Sequence, residues 1–215
     1  MGHYDTVLFD LDGTLLDTLT DLTDSLHTVL DSFGYPSHTA AEVRRFLGNG
    51  IRRLVALSTP GGEANPQFGE IFAAFSTYYT AHCELATRPY DGVDALLRAL
   101  GEAGIRRAIV SNKNQAAVTA LCQRFFRDTV ELAVGQTESL PRKPAPDMAQ
   151  AALRRLDSRS AVYVGDSEVD FATAQNAGLP CILVTWGFRD RAELESLGAA
   201  AVVSTMAELS ALLLA

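Results

Sequence analysis

Lysine is almost missing from this 215-residue chain: Lys113 and Lys143 are the only two, against 16 arginines. Basic residues gather no further than arginine pairs such as Arg44-Arg45 and Arg52-Arg53, and the net charge is −8. Nucleic-acid binding rests on clustered cations that neutralise phosphates, so no nucleic-acid partner is expected. Cysteine is scarce as well. Cys83, Cys122 and Cys181 are odd in number, far apart and form no C-x-x-C pair. That excludes a disulfide frame and a cysteine zinc site, and fits reduced thiols in the cytoplasm. No apolar run approaches the ~20 residues of a membrane span. The charged and apolar regions of a signal peptide are missing too, so a cytoplasmic protein without a membrane partner is expected. Met1-Gly2 followed by Thr6 matches the loose N-myristoylation pattern, but the first strand starts too close behind for Gly2 to reach a bilayer. His3, His27, His38 and His82 show no metal-ligand spacing and read as structural or surface residues.

What is present is apolar residue, 47% of the chain, enough for a packed core in one large domain or one domain with an insertion. Five short apolar runs read as strands: Thr6–Phe9, Ala108–Val110, Leu132–Val134, Ala161–Val164 and Cys181–Val184, with a weaker sixth at Ala201–Val203. Helical patterns at Gln115–Phe126, Pro146–Leu156 and Asp170–Ala177 lie between the later ones. Strands alternating with helices of this length predict βαβ units and a parallel sheet. About 95 residues separate the first strand from the second, far more than one crossover needs. Leu15, Leu19, Leu22, Leu26, Val29 and Leu30 fall on one helical stripe. Further helices are expected at Ala41–Leu47, Ile51–Leu57 and Asn65–Ala86. Residues 16–86 therefore read as an inserted helical domain, and residues 1–15 and 87–215 as an α/β, Rossmann-like, three-layer core around the parallel sheet.

In open parallel sheets ligands bind beyond the carboxyl ends of the strands. Asp10, Asp12 and Thr14 follow the first strand, Ser111, Asn112 and Lys113 the second, and Asp166 and Asp170 the fourth. Lys143 sits between the third strand and its helix. Asp12 alone reads as a helix cap, but four carboxylates converging in one cleft are costly unless a cation sits among them. Mg²⁺ suits such a site, being hard, oxygen-liganded and commonly held by one or two carboxylates plus substrate phosphate. Both lysines of the chain fall in these strand-end loops, where a compact ammonium can serve carboxylates and phosphate.

The segments DLDGT (10–14), VSN (110–112), RKPAPD (142–147) and VGDSEVD (164–170), in this order, resemble the haloacid dehalogenase superfamily of phosphotransferases. The helical insertion matches that family's cap domain. FLGNGI (46–51), RPYDGV (88–93), SNK (111–113), KPAPD (143–147) and AGLP (177–180) are most similar to the bacterial phosphoglycolate phosphatases. The resemblance implies a Mg²⁺-dependent phosphatase of a small phosphorylated metabolite, 2-phosphoglycolate first. It implies Asp10 as the nucleophile that becomes an aspartyl-phosphate, and Asp12 as acid and then base. Ser111, with Asn112 and Lys113 beside it, would hold phosphoryl oxygens, and Lys143 would offset charge on phosphate and Asp10. Asp10, Asp166 and the Asp12 carbonyl would bind Mg²⁺, with Asp170 in support of that shell. Thr14 would orient Asp12 by a hydrogen bond, at the edge of the substrate site.

Neighbouring activities separate on single residues. Dehalogenases lack an acid at the position of Asp12. Phosphonatases need a cap lysine, and residues 16–86 contain none. β-Phosphoglucomutases carry a cap histidine near the place of Leu22, which is apolar here, and the nearest histidine is His27. In the cap, Asn49 and Gly50 of the LGNGI loop either face substrate or simply break two helices, and Arg52 and Arg53 either reach a substrate carboxylate or face solvent. A broader phosphatase for pyrophosphate, nucleotides or sugar phosphates is the alternative. A non-catalytic binder of phosphorylated metabolites is a third reading, but it has no need of both Asp10 and Asp12. A monomer or homodimer is expected.

Overall fold

Thr6-Val7-Leu8-Phe9 is flanked by Asp5 and Asp10, and all four of its residues are buried. This is the signature of a strand covered on both faces. The computed structural model describes residues 4–215, so the Gly2 motif and His3 lie outside the described residues. The chain divides into two compact units, Asp17–Arg88 and a unit joining the chain up to Leu16 with Pro89–Ala215.

In chain order the elements are β1 (Thr6–Phe9), β2 (Leu16–Asp17), α1 (Leu19–Ser32), α2 (Ala40–Phe46), α3 (Ile51–Ser58), α4 (Phe68–His82) and β3 (Arg88–Pro89). They continue with α5 (Val93–Glu102), β4 (Arg106–Asn114), α6 (Gln115–Phe125), β5 (Leu132–Gln136), α7 (Asp147–Arg155), β6 (Ala161–Gly165) and α8 (Glu168–Ala177). The last four are β7 (Cys181–Val184), α9 (Arg191–Glu195), β8 (Ala201–Val203) and α10 (Met206–Leu213).

The sheet unit holds six strands in the order β5-β4-β1-β6-β7-β8, every neighbouring pair parallel. Successive side chains of each strand enter opposite cores, as the two-residue period of a strand requires. Val7, Phe9, Ile109, Val162, Val164 and Ile182 pack with Leu97 of α5, Leu121 of α6 and Leu209 of α10. Leu8, Ala108, Val110, Tyr163 and Leu183 pack with Met148 of α7, Ala174 of α8 and Leu194 of α9. The result is the three-layer α/β core expected from the sequence. β1 is central, and the chain runs outward to one side through β4 and β5 and to the other through β6, β7 and β8. Strand order therefore reverses at β1, where such folds place their ligands.

β4 is longer than its apolar run. It extends from Arg106 to Asn114 with an irregular register between Val110 and Asn114, so Ser111, Asn112 and Lys113 lie within the strand and not in a loop after it. Main-chain pairing of Asn114 with Gln136 of β5 carries the strand past its apolar residues. Helices α5, α9 and α10 add to the expected set. Leu15 leaves the expected stripe of α1. It stands in a tight turn, its N–H bonded to the Leu11 carbonyl at 3.0 Å, and packs in the sheet unit's core.

The helical unit consists of α1 to α4. Its core draws Leu22, Leu26, Val29 and Leu30 from α1, Leu54 and Val55 from α3, and Phe68, Ile71, Phe75 and Tyr79 from α4. α4 ends at His82, short of the expected Ala86. The N–H groups of Ala86 and Thr87 instead donate to the two oxygens of the buried Asp21 carboxylate, both at 2.8 Å, and so cannot join a helix. Among the described residues no helix is long and apolar enough to cross a membrane.

Candidate active site

β1 delivers Asp10 to the carboxyl end of the sheet, and the Asp10 N–H still bonds to the Val164 carbonyl of β6 at 2.9 Å. Its main chain is therefore held by the sheet while its side chain projects beyond it. The turn that follows needs Gly13, whose φ is +84°, a conformation that side chains disfavour. That turn reverses the chain between Leu11 and Leu16 and places Asp12 and Thr14 on different sides. The Asp12 carboxylate meets the Lys113 ammonium of β4 at 2.7 Å. The Thr14 hydroxyl, 1% exposed, donates to Asp166 at 3.3 Å. Thr14 thus serves Asp166 and not Asp12 as expected, because the reversal at Gly13 turns it inward toward the end of β6.

Asp166 follows β6, and Asp170 sits one helical turn into α8, behind the cap Ser167. Carboxylate oxygens of Asp10, Asp166 and Asp170 lie within 4.8 Å of one another. Lys143 binds this cluster from beneath, its ammonium 2.7 Å from Asp10 and 2.8 Å from Asp170. A third contact, 3.2 Å to the Tyr163 hydroxyl, completes its three donors. The other Asp170 oxygen accepts from the Ser167 hydroxyl at 2.6 Å and the Asp166 N–H at 3.2 Å. Asp170 is therefore enclosed by protein donors.

Electrostatics follow from burial and proximity. Burial and the Asp170 charge push the Asp10 carboxyl up to about 7, against the pull of Lys143. Burial, Asp170 and Asp10 push Asp166 well above the ordinary carboxylate range. Burial opposes the charge on Lys143, yet Asp10 and Asp170 hold it protonated well above its usual range. With all three clustered carboxylates ionised, as a bound cation would favour, Asp10, Asp166 and Asp170 against Lys143 leave two negative charges over, the charge of one divalent cation. Three clustered carboxylates with that deficit fit a hard, oxygen-liganded ion such as Mg²⁺. Asp12 stands outside this cluster, its carboxylate on Lys113, so only its main-chain carbonyl is available for the ligand role expected of it.

The remaining expected residues divide between the units. In the sheet unit, Ser111 accepts from the Lys113 N–H at 3.2 Å, which leaves its own hydrogen to donate. Asn112 braces both sides of Lys143, accepting from its N–H at 2.7 Å and donating to its carbonyl at 3.2 Å. In the helical unit, Asn49 precedes Gly50, which opens α3 at φ +79°. Arg52 pairs with Glu63 at 2.7 Å and lies over the ring of Phe68. His27, His38 and His82 each bond to a main-chain carbonyl, as structural histidines would. Sequence reasoning missed Tyr163, which reads as core in an apolar strand, and the loop after β7, where the Phe188 N–H donates to Asp166 at 2.6 Å.

The family model for haloacid dehalogenase-like hydrolases matches residues 7–184. A phosphoglycolate phosphatase of Rhodobacter capsulatus is 39% identical over 188 residues, covering 85% of each chain. One from Neisseria meningitidis is 34% identical, covering 87% of this chain and 83% of its own. A crystal structure from Lactobacillus delbrueckii subsp. bulgaricus, provisionally named phosphoglycolate phosphatase, superposes with a TM-score of 0.93 at 31% identity over 99% of each chain. CbbY of Rhodobacter sphaeroides, solved in complex with phosphate, superposes with a TM-score of 0.78 at 28% identity over 96% of each chain.

Proposed function

The chain belongs to the haloacid dehalogenase-like hydrolase family, and from that premise we propose that it hydrolyses small phosphomonoesters, 2-phosphoglycolate foremost, through an aspartyl-phosphate on Asp10. It is a phosphoric monoester hydrolase by kinship with the phosphoglycolate phosphatases. The observation that carries the mechanism is the meeting of Asp10, Asp166 and Asp170 above Lys143, with Asp12 alongside but outside the cluster.

Lys143 holds Asp10 through Oδ1, which leaves Oδ2 for attack on phosphorus. As the Oδ2–P bond forms, the bond from phosphorus to the ester oxygen breaks. Protonated Asp12, tethered to Lys113 through Oδ1, gives its proton to the leaving alkoxide through the other oxygen. Asp12 then takes a proton from the water that attacks phosphorus, and the Asp10–phosphorus bond breaks to release phosphate. Lys143 and the Ser111 hydroxyl offset charge on the phosphoryl oxygens. Asp10, Asp166 and the Asp12 carbonyl would hold Mg²⁺, with Asp170 fixing Lys143 and the first turn of α8. That ion would supply neutralisation of the charge between nucleophile and phosphate. Among the described residues no cysteine is in a disulfide, which supports a reducing, cytoplasmic setting for the reaction.

The test is a panel of phosphorylated metabolites assayed with Mg²⁺ and with EDTA. We expect the highest kcat/KM on 2-phosphoglycolate and no turnover in EDTA. Equal rates on sugar phosphates, nucleotides or pyrophosphate would replace the substrate assignment with a broad phosphatase. No turnover of any monoester with Mg²⁺ would refute the function.

A further inference from the structure

Trp186, Gly187 and Phe188, just beyond β7, carry no carboxylate, hydroxyl or ammonium. All three nevertheless bear on one acidic side chain. The Phe188 N–H donates to Asp166 Oδ2 at 2.6 Å. Gly187 lies so close that a β-carbon there would stand 2.3 Å from Asp166 Oδ2 and 2.4 Å from both Asp166 Cβ and the Gly13 carbonyl oxygen. Only the missing side chain permits this approach. The Trp186 indole N–H donates to the Thr14 carbonyl at 3.1 Å. The Thr14 hydroxyl in turn donates to the other oxygen, Asp166 Oδ1, at 3.3 Å. A β-carbon on Gly13 would likewise stand 2.5 Å from the same oxygen, Asp166 Oδ2. The carboxylate is thus held by two loops, with a donor on each oxygen and two glycines closing on Oδ2.

We propose that Trp186-Gly187-Phe188 is a positioning segment for the divalent cation: it fixes the Asp166 carboxylate in one orientation and, through Trp186, ties that ligand to the turn carrying Asp12, Gly13 and Thr14. The inference rests on the metal-dependent reading above. A freely rotating carboxylate loses rotamer freedom on binding an ion, whereas one already held does not. Partners behind metal ligands typically shift metal affinity 10–100-fold. Trp186 is also the chain's one tryptophan, so its emission reports on this tie without any added probe.

The experiment titrates Mg²⁺ into the EDTA-treated, full-length protein, by calorimetry and by tryptophan emission. Wild type should show a saturable emission change with the midpoint that calorimetry gives. Trp186→Phe keeps an aromatic ring and loses one N–H, so it answers even where Gly187→Ala does not fold. Both variants should bind Mg²⁺ roughly ten-fold more weakly by calorimetry. A merely structural role would lower the melting temperature in EDTA and leave the Mg²⁺ Kd unchanged. A wild-type Kd in Trp186→Phe, or an emission blind to saturating Mg²⁺, would overturn the positioning role and leave the phosphatase reading standing. No Mg²⁺ binding by wild type would overturn the metal reading and this inference with it.

Discussion

Replacing Asp10 with asparagine should end turnover and stabilise the metal-free protein. The Asp10 carboxyl rises from its ordinary 3.8 to about 7, chiefly by burial and next by the Asp170 charge. Between these values the folded protein holds the proton more tightly than the unfolded chain does. Stability therefore falls as pH climbs from about 4, and the full penalty stands above about 7. A rise of that size has an upper bound of about 4 kcal/mol at pH 8. The Asp10 side chain is 12% exposed and 2.7 Å from Lys143. Water reaches it, and Lys143 bonds less strongly to an amide, which brings the expected gain to roughly 1–3 kcal/mol. For a chain of this length each kcal/mol moves the melting temperature by ~2–4 °C, so Asp10→Asn should melt roughly 2–12 °C higher at pH 8 in EDTA. At pH 5, where wild-type Asp10 is protonated, the difference should shrink toward zero. Mg²⁺ should also narrow it, because the ion stabilises only a protein that binds it well. Calorimetric melts at both pH values, with EDTA and with Mg²⁺, read all four cases. An Asp10→Asn protein less stable than wild type at pH 8 in EDTA would refute the electrostatic account, and more than a trace of residual turnover would refute the nucleophile.

Ca²⁺ tolerates ~6–8 ligands and lets a carboxylate bind through both oxygens, so it should inhibit by drawing in the oxygen Asp10 needs for attack; turnover supported by Ca²⁺ alone would contradict that geometry. Asp21→Ala leaves two N–H groups, on half-buried Ala86 and buried Thr87, without their carboxylate. Loss of two charge-assisted bonds should lower the stability of the helical unit by about 2–4 kcal/mol, read from urea unfolding; an unchanged midpoint would show that water replaces the carboxylate at no cost.

The apolar strands were legible because burial on both faces writes itself as an unbroken apolar run. β1 and β7 match their runs, and β6 adds only Gly165. β4 was cut short because Ser111, Asn112 and Lys113 look like loop, whereas main-chain pairing is indifferent to side-chain polarity. α5 shows helical spacing in Val93, Leu96, Leu97 and Leu100, so its signal was present, though short. In the site, side chains with chemistry of their own could be named from sequence. Their supports could not, because the Phe188 N–H on Asp166 and the Ala86 and Thr87 N–H groups on Asp21 come from the main chain, which every residue shares. The partner of Thr14 was misread for a related reason: which way a hydroxyl turns after a positive-φ glycine is a matter of three dimensions.

The central place of β1 also fixes an order of assembly. Thr6 pairs with Arg106 on one side and Ala161 on the other, so the strand bearing Asp10 emerges from the ribosome long before either neighbour exists. Parallel pairing across such separations closes late, because the entropy of closing the intervening loop must be met before any contact rewards it. A nascent chain released after β5 would hold β1 against β4 only, with Lys143, Asp166 and Asp170 still to come. Until β6 arrives, an apolar strand edge stays open to other chains. Aggregation during synthesis should therefore peak for chains stalled between residues 136 and 161, and the active site should be among the last parts of the molecule to form.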